Sequence, residues 1–166
     1  EVFASVASPD EILWDFENPL LPPKSFLLPQ VETLARIRKE NGHHRVEPAA
    51  GEGPRVLFNI RNCDVAGLAY LEEMHRRDLP DESVLRRAQD LTLVSLACTT
   101  PCPPGFCVCC DAGPFLADRF DLQLTDLGDV LWVDVGSGKG EALVDLAPAL
   151  FRAHICRCAH HTFSGK

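Results

Sequence analysis

The sequence is short of positive charge. Its 16 lysine and arginine residues are outnumbered by 24 aspartate and glutamate residues, which gives a formal net charge of −8. Lys and Arg side chains drive binding to nucleic-acid phosphates and to anionic membrane surfaces. The charge balance therefore argues against a general nucleic-acid-binding or membrane-surface protein.

The sequence also lacks a secretory signal pattern and an unbroken membrane-spanning segment. Residues 91–110 contain no charge and are numerous enough to cross a bilayer. A proline at 101, two more at 103 and 104, and Gly105 fall inside this stretch and would break a spanning helix. We therefore expect a buried strand followed by a loop here, in a cytoplasmic protein.

The pattern along the 166 residues predicts an α/β fold, a single three-layer-like domain with a short mixed sheet. We predict an irregular, proline-rich N-terminal arm and loop over residues 1–54, an α/β cysteine-containing domain over 55–151 and a tail over 152–166. Within the first region, a short helix is predicted at 31–38 and a surface loop at 39–54.

Hydrophobic periodicity predicts the elements of the α/β domain. In chain order they are a strand at 56–60, a helix ending near 77, a helix at 81–90, a strand at 91–98, a hairpin from 120–125 and 131–135, and a final helix at 139–151. Pro148 is expected to kink or shorten the last helix.

Eight cysteines are the unusual feature of the composition, and five of them lie between Cys98 and Cys110. Crowded, unevenly spaced thiols in a reduced compartment bind metal more often than they form disulfides. Inert or redox-active thiols and, more weakly, disulfides are the alternatives.

The predicted elements bring several of these thiols toward one place. Cys63 lies at a strand-to-helix junction, and Cys98 ends the next predicted strand. If those strands are neighbours in the sheet, both thiols emerge at the edge where open α/β sheets bind ligands. The loop that follows adds Cys102, Cys107, Cys109 and Cys110 within reach.

This loop is suited to an iron–sulfur cluster, although its spacing leaves the metal open. Its prolines and Gly105 prevent regular structure, which leaves backbone N–H groups free to face sulfur, as such clusters require. The segment Cys107-x-Cys109-Cys110 matches neither the paired C-x2-C of a zinc ribbon nor the cysteine run of bacterial ferredoxins.

Five motifs follow one another in an order that is typical of one family. They are Arg61-Asn62-Cys63-Asp64, Leu96-Ala97-Cys98-Thr99-Thr100-Pro101, Phe106-Cys107-Val108-Cys109-Cys110-Asp111-Ala112-Gly113-Pro114, Leu124-Thr125-Asp126-Leu127-Gly128 and Val135-Gly136-Ser137-Gly138-Lys139-Gly140-Glu141-Ala142-Leu143. Over roughly residues 12–146 the chain resembles the N-terminal domain of the beta subunits of sulfhydrogenases and group 3 nickel–iron hydrogenases. One of the subunits of anaerobic sulfite reductases shares that family.

The resemblance implies a non-catalytic electron-transfer subunit of an oxidoreductase complex, carrying an iron–sulfur cluster of the 4Fe–4S type. Its partners would be a catalytic subunit and a flavin or redox-carrier subunit, with no nucleic acid and no membrane. No catalytic residue and no site for an organic cofactor is expected. Family members usually continue into two ferredoxin-type (dicluster) motifs, and this chain ends at Lys166 without them. The resemblance therefore implies a fragment or a shortened member.

The family's ligand pattern carries over only in part. Cys63, Cys98 and Cys107 match thiolate positions of the family, whereas Gly105 stands where another thiolate is expected. The resemblance therefore implies that the remaining ligand comes from Cys102 or Cys109.

Two other interpretations compete with the cluster. One is a structural or interaction domain whose thiols hold no metal. The other is a fragment of an S-adenosylmethionine-dependent methyltransferase, because residues 132–140 resemble the glycine-rich loop of those enzymes; too few residues follow Gly140 to complete such a sheet. Near the end of the chain, Cys156, Cys158, His160 and His161 are soft metal ligands at short spacing, but a frayed tail explains them as well.

Overall fold

The computed structural model describes residues 2–16, 19–49, 51–100, 102–103 and 105–153. Cys156, Cys158, His160 and His161 lie outside these ranges. The strands are β1 Ala35–Glu40, β2 His43–Pro48, β3 Arg55–Arg61, β4 Leu91–Leu96, β5 Leu122–Asp126 and β6 Leu131–Val135, and the α-helices are α1 Asn62–Arg76, α2 Glu82–Asp90 and α3 Gly138–Leu146. Short 3-10 helices occur at Pro9–Glu11, Pro23–Phe26, Cys107–Cys110 and Pro148–Leu150.

The main sheet has four strands in the order β3-β4-β5-β6. The pairs β3–β4 and β4–β5 are parallel, and β5–β6 is an antiparallel hairpin. The structure thus confirms the predicted α/β fold with a short mixed sheet. It also confirms the two predicted helices that lie between β3 and β4, and the shortening of the last helix ahead of Pro148.

Hydrophobic cores cover both faces of this sheet. In β4, alternate side chains point to opposite faces: Leu91 and Leu93 pack with Val65 of α1, whereas Val94 and Leu96 pack toward Leu143 of α3. The sheet therefore lies between α1 with α2 on one side and α3 on the other, which is the predicted three-layer arrangement.

The predictions for residues 31–48 are wrong. Instead of a helix followed by a loop, the chain forms the hairpin β1–β2, in which Ile37 pairs with Val46. Asn41 and Gly42 form the turn with φ values of 51° and 82°, the left-handed conformations that a two-residue type I′ turn requires. The Asn-Gly dipeptide was the local signal for this hairpin.

The N-terminal arm runs irregularly along β3 and is attached by side chains of that strand. Asn59, at a β-bulge with φ 60°, donates from Nδ2 to the backbone oxygen of Leu13 at 2.6 Å. Arg61 donates to the backbone oxygen of Phe16 and lies 4.3 Å from the centroid of that ring. Phe16 of the arm therefore lies beside the residues that lead into α1.

Within the described part of the chain, no helix is long and apolar enough to cross a membrane. The predicted boundaries at 54/55 and 151/152 stay predictions.

Candidate metal centre

Cys63 lies in the first turn of α1, directly after β3. The residue at the N-cap position, Arg61, makes no side-chain capping hydrogen bond to this helix. Because the first N–H groups of a helix have no partner inside it, they are free to bond to sulfur or to an anion. One is used in this way, since the backbone N–H of Asp64 donates to the sulfur of half-buried Cys63.

Cys98 follows the end of β4 and reaches the same edge of the sheet. β3 and β4 are parallel, and their last residues Arg61 and Leu96 are paired. The carboxyl ends of both strands therefore meet where the predicted strand-to-helix junction places Cys63. Cys98, like Cys63, is half-buried.

The pKa of Cys63 shows which charges surround it. The pKa is raised to about 11 from an ordinary value of 9.0, chiefly by burial and next by the Asp64 carboxylate. The negative charges of Cys98 and Cys102 act in the same direction, whereas the hydrogen bond from the Asp64 backbone lowers the pKa. Cys63 therefore lies within electrostatic range of two other thiols.

Cys98 links this group to a fourth thiol. Burial raises its pKa; the Arg61 guanidinium opposes that rise, and the negative charges of Cys102 and Cys107 add to it. Cys63, Cys98, Cys102 and Cys107 therefore form one electrostatically coupled group, which we call the four-thiol cluster. Four of the five predicted ligands belong to it.

The fifth predicted ligand, Cys109, is exposed to solvent, as is Cys110. Cys109 is not among the main charges that act on Cys63 or on Cys98. Cys107 and Cys109 lie in the same 3-10 helix, in which Cys107 is half-buried and Cys109 is exposed.

The position of Cys107 is visible in the packing of Gly113. A β-carbon at Gly113 would lie 3.5 Å from the Cys107 sulfur and 4.0 Å from the Cβ of Asn62. Gly113 thus lies between Cys107 and the residue that precedes Cys63. A larger residue at 113 would meet both neighbours.

Asn62 attaches the cysteine-bearing loop to the sheet. Its fully buried side chain donates from Nδ2 to the backbone oxygen of Pro114 at 2.5 Å and to Oε1 of Gln123 at 2.8 Å. Gln123, in β5, also accepts from the backbone N–H of Leu116 at 2.8 Å and donates to its oxygen at 3.3 Å. These bonds hold residues 114–116 between α1 and β5.

Sequence reasoning did not single out Asn62, Gln123 or Arg61 as parts of the site. Asn62 appeared only inside a motif, and Gln123 only as the polar residue of an alternating strand. The signal that could have found the two amides is a polar residue at a position whose pattern predicts burial. A buried amide nearly always has hydrogen-bond partners.

Gly105 lies in a tight turn against the backbone of Cys102. The Gly105 N–H donates to the backbone oxygen of Cys102 at 2.8 Å, and a β-carbon at 105 would come within 2.9 Å of that oxygen. A cysteine at 105 would therefore force this turn to shift. The turn instead carries the thiol of Cys102.

The described residues do not form a site for a single metal ion, because no three or more of their His, Cys, Asp and Glu side chains are arranged to hold one. A zinc ion requires four ligands at about 2.0–2.3 Å from one point, whereas an iron–sulfur cluster distributes four thiolates over separate iron atoms. Several buried polar atoms near the cysteines also have no partner among the described residues: Arg61 Nε, Asn62 Oδ1 and Asp64 Oδ2.

The glycine-rich segment after β6 has a packing role. β-carbons at Gly136 and Gly140 would lie 2.3 Å from the Phe120 oxygen and 2.0 Å from the Asp121 oxygen. Any larger residue would push α3 away from the sheet. These glycines are thus explained by close helix–sheet contact, in place of the ligand contact that a methyltransferase loop would make.

Fold and site together define a small α/β protein with a cysteine cluster at the carboxyl edge of its parallel strands. The chain is 33% identical over 143 residues to sulfhydrogenase 2 subunit beta of Pyrococcus furiosus, a match that covers 86% of this chain and 41% of that protein. The chain thus spans less than half the length of this relative. The homology supports placing the chain in a hydrogenase beta-subunit-like family. No family model matches the chain, and no solved structure matches it significantly.

Proposed function

We propose that this chain is an iron–sulfur electron-transfer subunit, or the N-terminal module of one, in a hydrogenase-type complex. The observation that carries the proposal is the four-thiol cluster at the sheet edge of a chain homologous to a sulfhydrogenase beta subunit. A cluster bound there supplies one-electron transfer. The protein itself would then hold the thiolates, exclude solvent from them and offset their negative charge.

We further propose Cys63, Cys98, Cys102 and Cys107 as the ligands. The burial and mutual charge coupling of these thiols support this set, and the exposure of Cys109 argues for Cys102 as the fourth ligand. Because the pKa values of Cys63 and Cys98 are raised, these two thiols would keep their protons until a cation replaces them, so loading would release protons.

Three neighbouring groups would support the ligands. The Arg61 guanidinium offsets negative charge at Cys98. The Asp64 backbone N–H already donates to Cys63, and N–H donors to ligand sulfur raise the potential of such centres. Asn62 keeps the loop of Cys107 against α1 through Pro114.

The expected partners are a catalytic subunit and a flavin or redox-carrier subunit, in the cytoplasm. Support for partner subunits comes from the relative in Pyrococcus furiosus, which is one subunit of a sulfhydrogenase. A hydrogenase-type complex is favoured over a sulfite-reductase-type complex for the same reason.

Anaerobic purification followed by iron and acid-labile sulfide analysis tests the site. We expect a brown protein with broad visible absorption, and Cys63→Ser, Cys98→Ser, Cys102→Ser and Cys107→Ser should each lose most of the bound iron. Cys109→Ser and Cys110→Ser are matched controls within the same loop and should keep it, as should Cys156→Ser.

Two results would count against this assignment. If Cys109→Ser loses iron while Cys102→Ser keeps it, the fourth ligand is wrong. If the wild-type protein takes up no iron and sulfide even on anaerobic reconstitution, the metal-free structural interpretation is correct.

A further inference from the structure

The hairpin β1–β2 stands apart from the main sheet. Its two strands pair only with each other, and every residue of both strands is exposed except half-buried Glu47. A two-stranded hairpin alone is marginally stable in water, because neither face is covered. This hairpin therefore gains little from the body of the protein.

One face of the hairpin is charged and is turned toward the body. Arg36, Arg38 and Glu47 line a cleft of about 550 Å³, and across it lie Arg86 and Arg87 of α2. Within this face, Glu47 accepts ion pairs at 3.5 Å from both Arg38 and Arg45. The charged side chains thus occupy the side that a hairpin normally buries.

The opposite face is apolar and points away from the body. Alternation along the strands puts Ala35, Ile37 and Val46 on this side, and the cross-strand pair Ile37–Val46 is 69% and 63% exposed. We call these three residues the apolar hairpin face. An apolar stripe at the outside of a projecting element is typical of a surface that another molecule covers.

The charge beside the apolar hairpin face indicates which kind of surface covers it. Arg36, Arg38 and Arg45 lie on the opposite, charged face, so the positive charge beside the apolar residues is that of Lys39. Lys39 and His44 are paired at the turn end of the apolar hairpin face. The complementary surface therefore has an apolar centre and acidic residues at its edge.

A second copy of this chain suits the surface poorly. In a two-fold symmetric dimer the same patch meets itself, so each Lys39 would meet a face that carries no carboxylate. Two chains of net charge −8 also repel each other at a distance.

We propose that the apolar hairpin face docks onto an acidic-edged apolar surface of another subunit of the complex. This proposal rests on the proposed function, because it takes the partner to be a subunit of the same complex. It does not depend on the metal centre, because the hairpin shares no residue with the four-thiol cluster.

The test measures binding of this chain to the remaining subunits of its complex, co-expressed and purified without it. Ile37→Glu should weaken binding at least tenfold, because it places a carboxylate against the apolar centre of the partner surface. Ile37→Thr keeps a β-branched residue in the strand and should weaken binding less. Binding of the wild-type chain should fall as sodium chloride is raised, and less steeply for Lys39→Gln.

Leu79→Glu is the matched control, because Leu79 is an 89% exposed leucine in the turn between α1 and α2. It should bind like the wild type. Iron content, measured in parallel, should be unchanged in all variants, which separates failure of docking from failure of the metal centre. The proposal is overturned if the wild-type chain does not bind, if Ile37→Glu binds normally or if Leu79→Glu weakens binding equally. It is also overturned if the free chain sediments as a dimer that Ile37→Glu dissociates.

Discussion

At the scale of single residues, Asp64 acts on Cys63 in two opposite ways. Its carboxylate raises the pKa of Cys63, while its backbone N–H, bonded to the sulfur, lowers it. The carboxylate is itself poorly placed, because burial raises its pKa and its Oδ2 has no partner within the described ranges. A negative group is thus kept beside a thiol whose metal-free form is protonated at neutral pH.

Replacing this carboxylate should make Cys63 more reactive. In metal-free Asp64→Asn we expect the pKa of Cys63 to fall from about 11 only part of the way to 9.0, because burial is the larger cause. Its alkylation by iodoacetamide at pH 8 should be severalfold faster, since the thiolate is the nucleophile. Peptide-resolved mass spectrometry measures the rate.

Asp118→Asn is the control for that experiment. Asp118 is an exposed carboxylate paired with Arg119, and it is not among the main charges on Cys63. An unchanged Cys63 rate in Asp64→Asn, or an equal increase in Asp118→Asn, would contradict the account.

At the scale of elements, the site depends on how α1, β5 and the cysteine-bearing loop are joined. The joint is the pair Asn62 and Gln123, which together bond to the backbone of Pro114 and Leu116. Because the side chains of Asn62 and Gln123 are buried, bonds lost there cannot be replaced fully by water.

Removal of this joint should cost both stability and metal. For Asn62→Ala we expect the free energy of unfolding to fall by about 1–3 kcal/mol, as is usual for buried hydrogen bonds. The loop of Cys107 would also loosen, so bound iron should fall. Urea unfolding and iron analysis measure the two effects.

A helix cap provides a control of similar stability cost. Asp81 caps α2 by accepting from the backbone N–H groups of Ser83 and Val84. Asp81→Ala should cost about 1 kcal/mol and leave the iron content unchanged. If both variants lose iron in proportion to stability, Asn62 has no specific role in the site.

At the scale of the whole molecule, the raised thiol pKa links stability to pH. Below pH 9 the Cys63 thiol is protonated in both the folded and the unfolded chain, so its contribution to stability is fully present. Between 9.0 and about 11 the unfolded chain ionises first, and the folded state loses that contribution.

The metal-free protein should therefore become less stable from pH 9 to pH 11. Thermal unfolding at pH 8, 9, 10 and 11 should show a decline in Tm that is smaller in Cys63→Ser. Cys110→Ser, which removes an exposed thiol, should decline as the wild type does. Identical curves for Cys63→Ser and the wild type would contradict the assignment.

Much of the fold could be predicted because its signals are local. The apolar run of β3, the periodicity of α1 and the alternation of β5 and β6 each act within a few residues, and each prediction is confirmed. The hairpin β1–β2 also had a local signal in Asn41-Gly42. It was missed because neither face of the hairpin is buried, so its apolar pattern is limited to Ala35, Ile37 and Val46 among charged residues.

The sequence by itself determined the α/β elements and marked the cysteines as the chemistry-bearing residues, because periodicity and turn chemistry are properties of neighbouring residues. Only the tertiary structure decided the burial and the electrostatic surroundings of each thiol. It paired β3 with β4, joined Asn62 to Gln123 across 61 positions and left Cys109 exposed while Cys102 is half-buried. Burial and electrostatic coupling depend on distances between segments that are remote along the chain, and no local pattern encodes those distances.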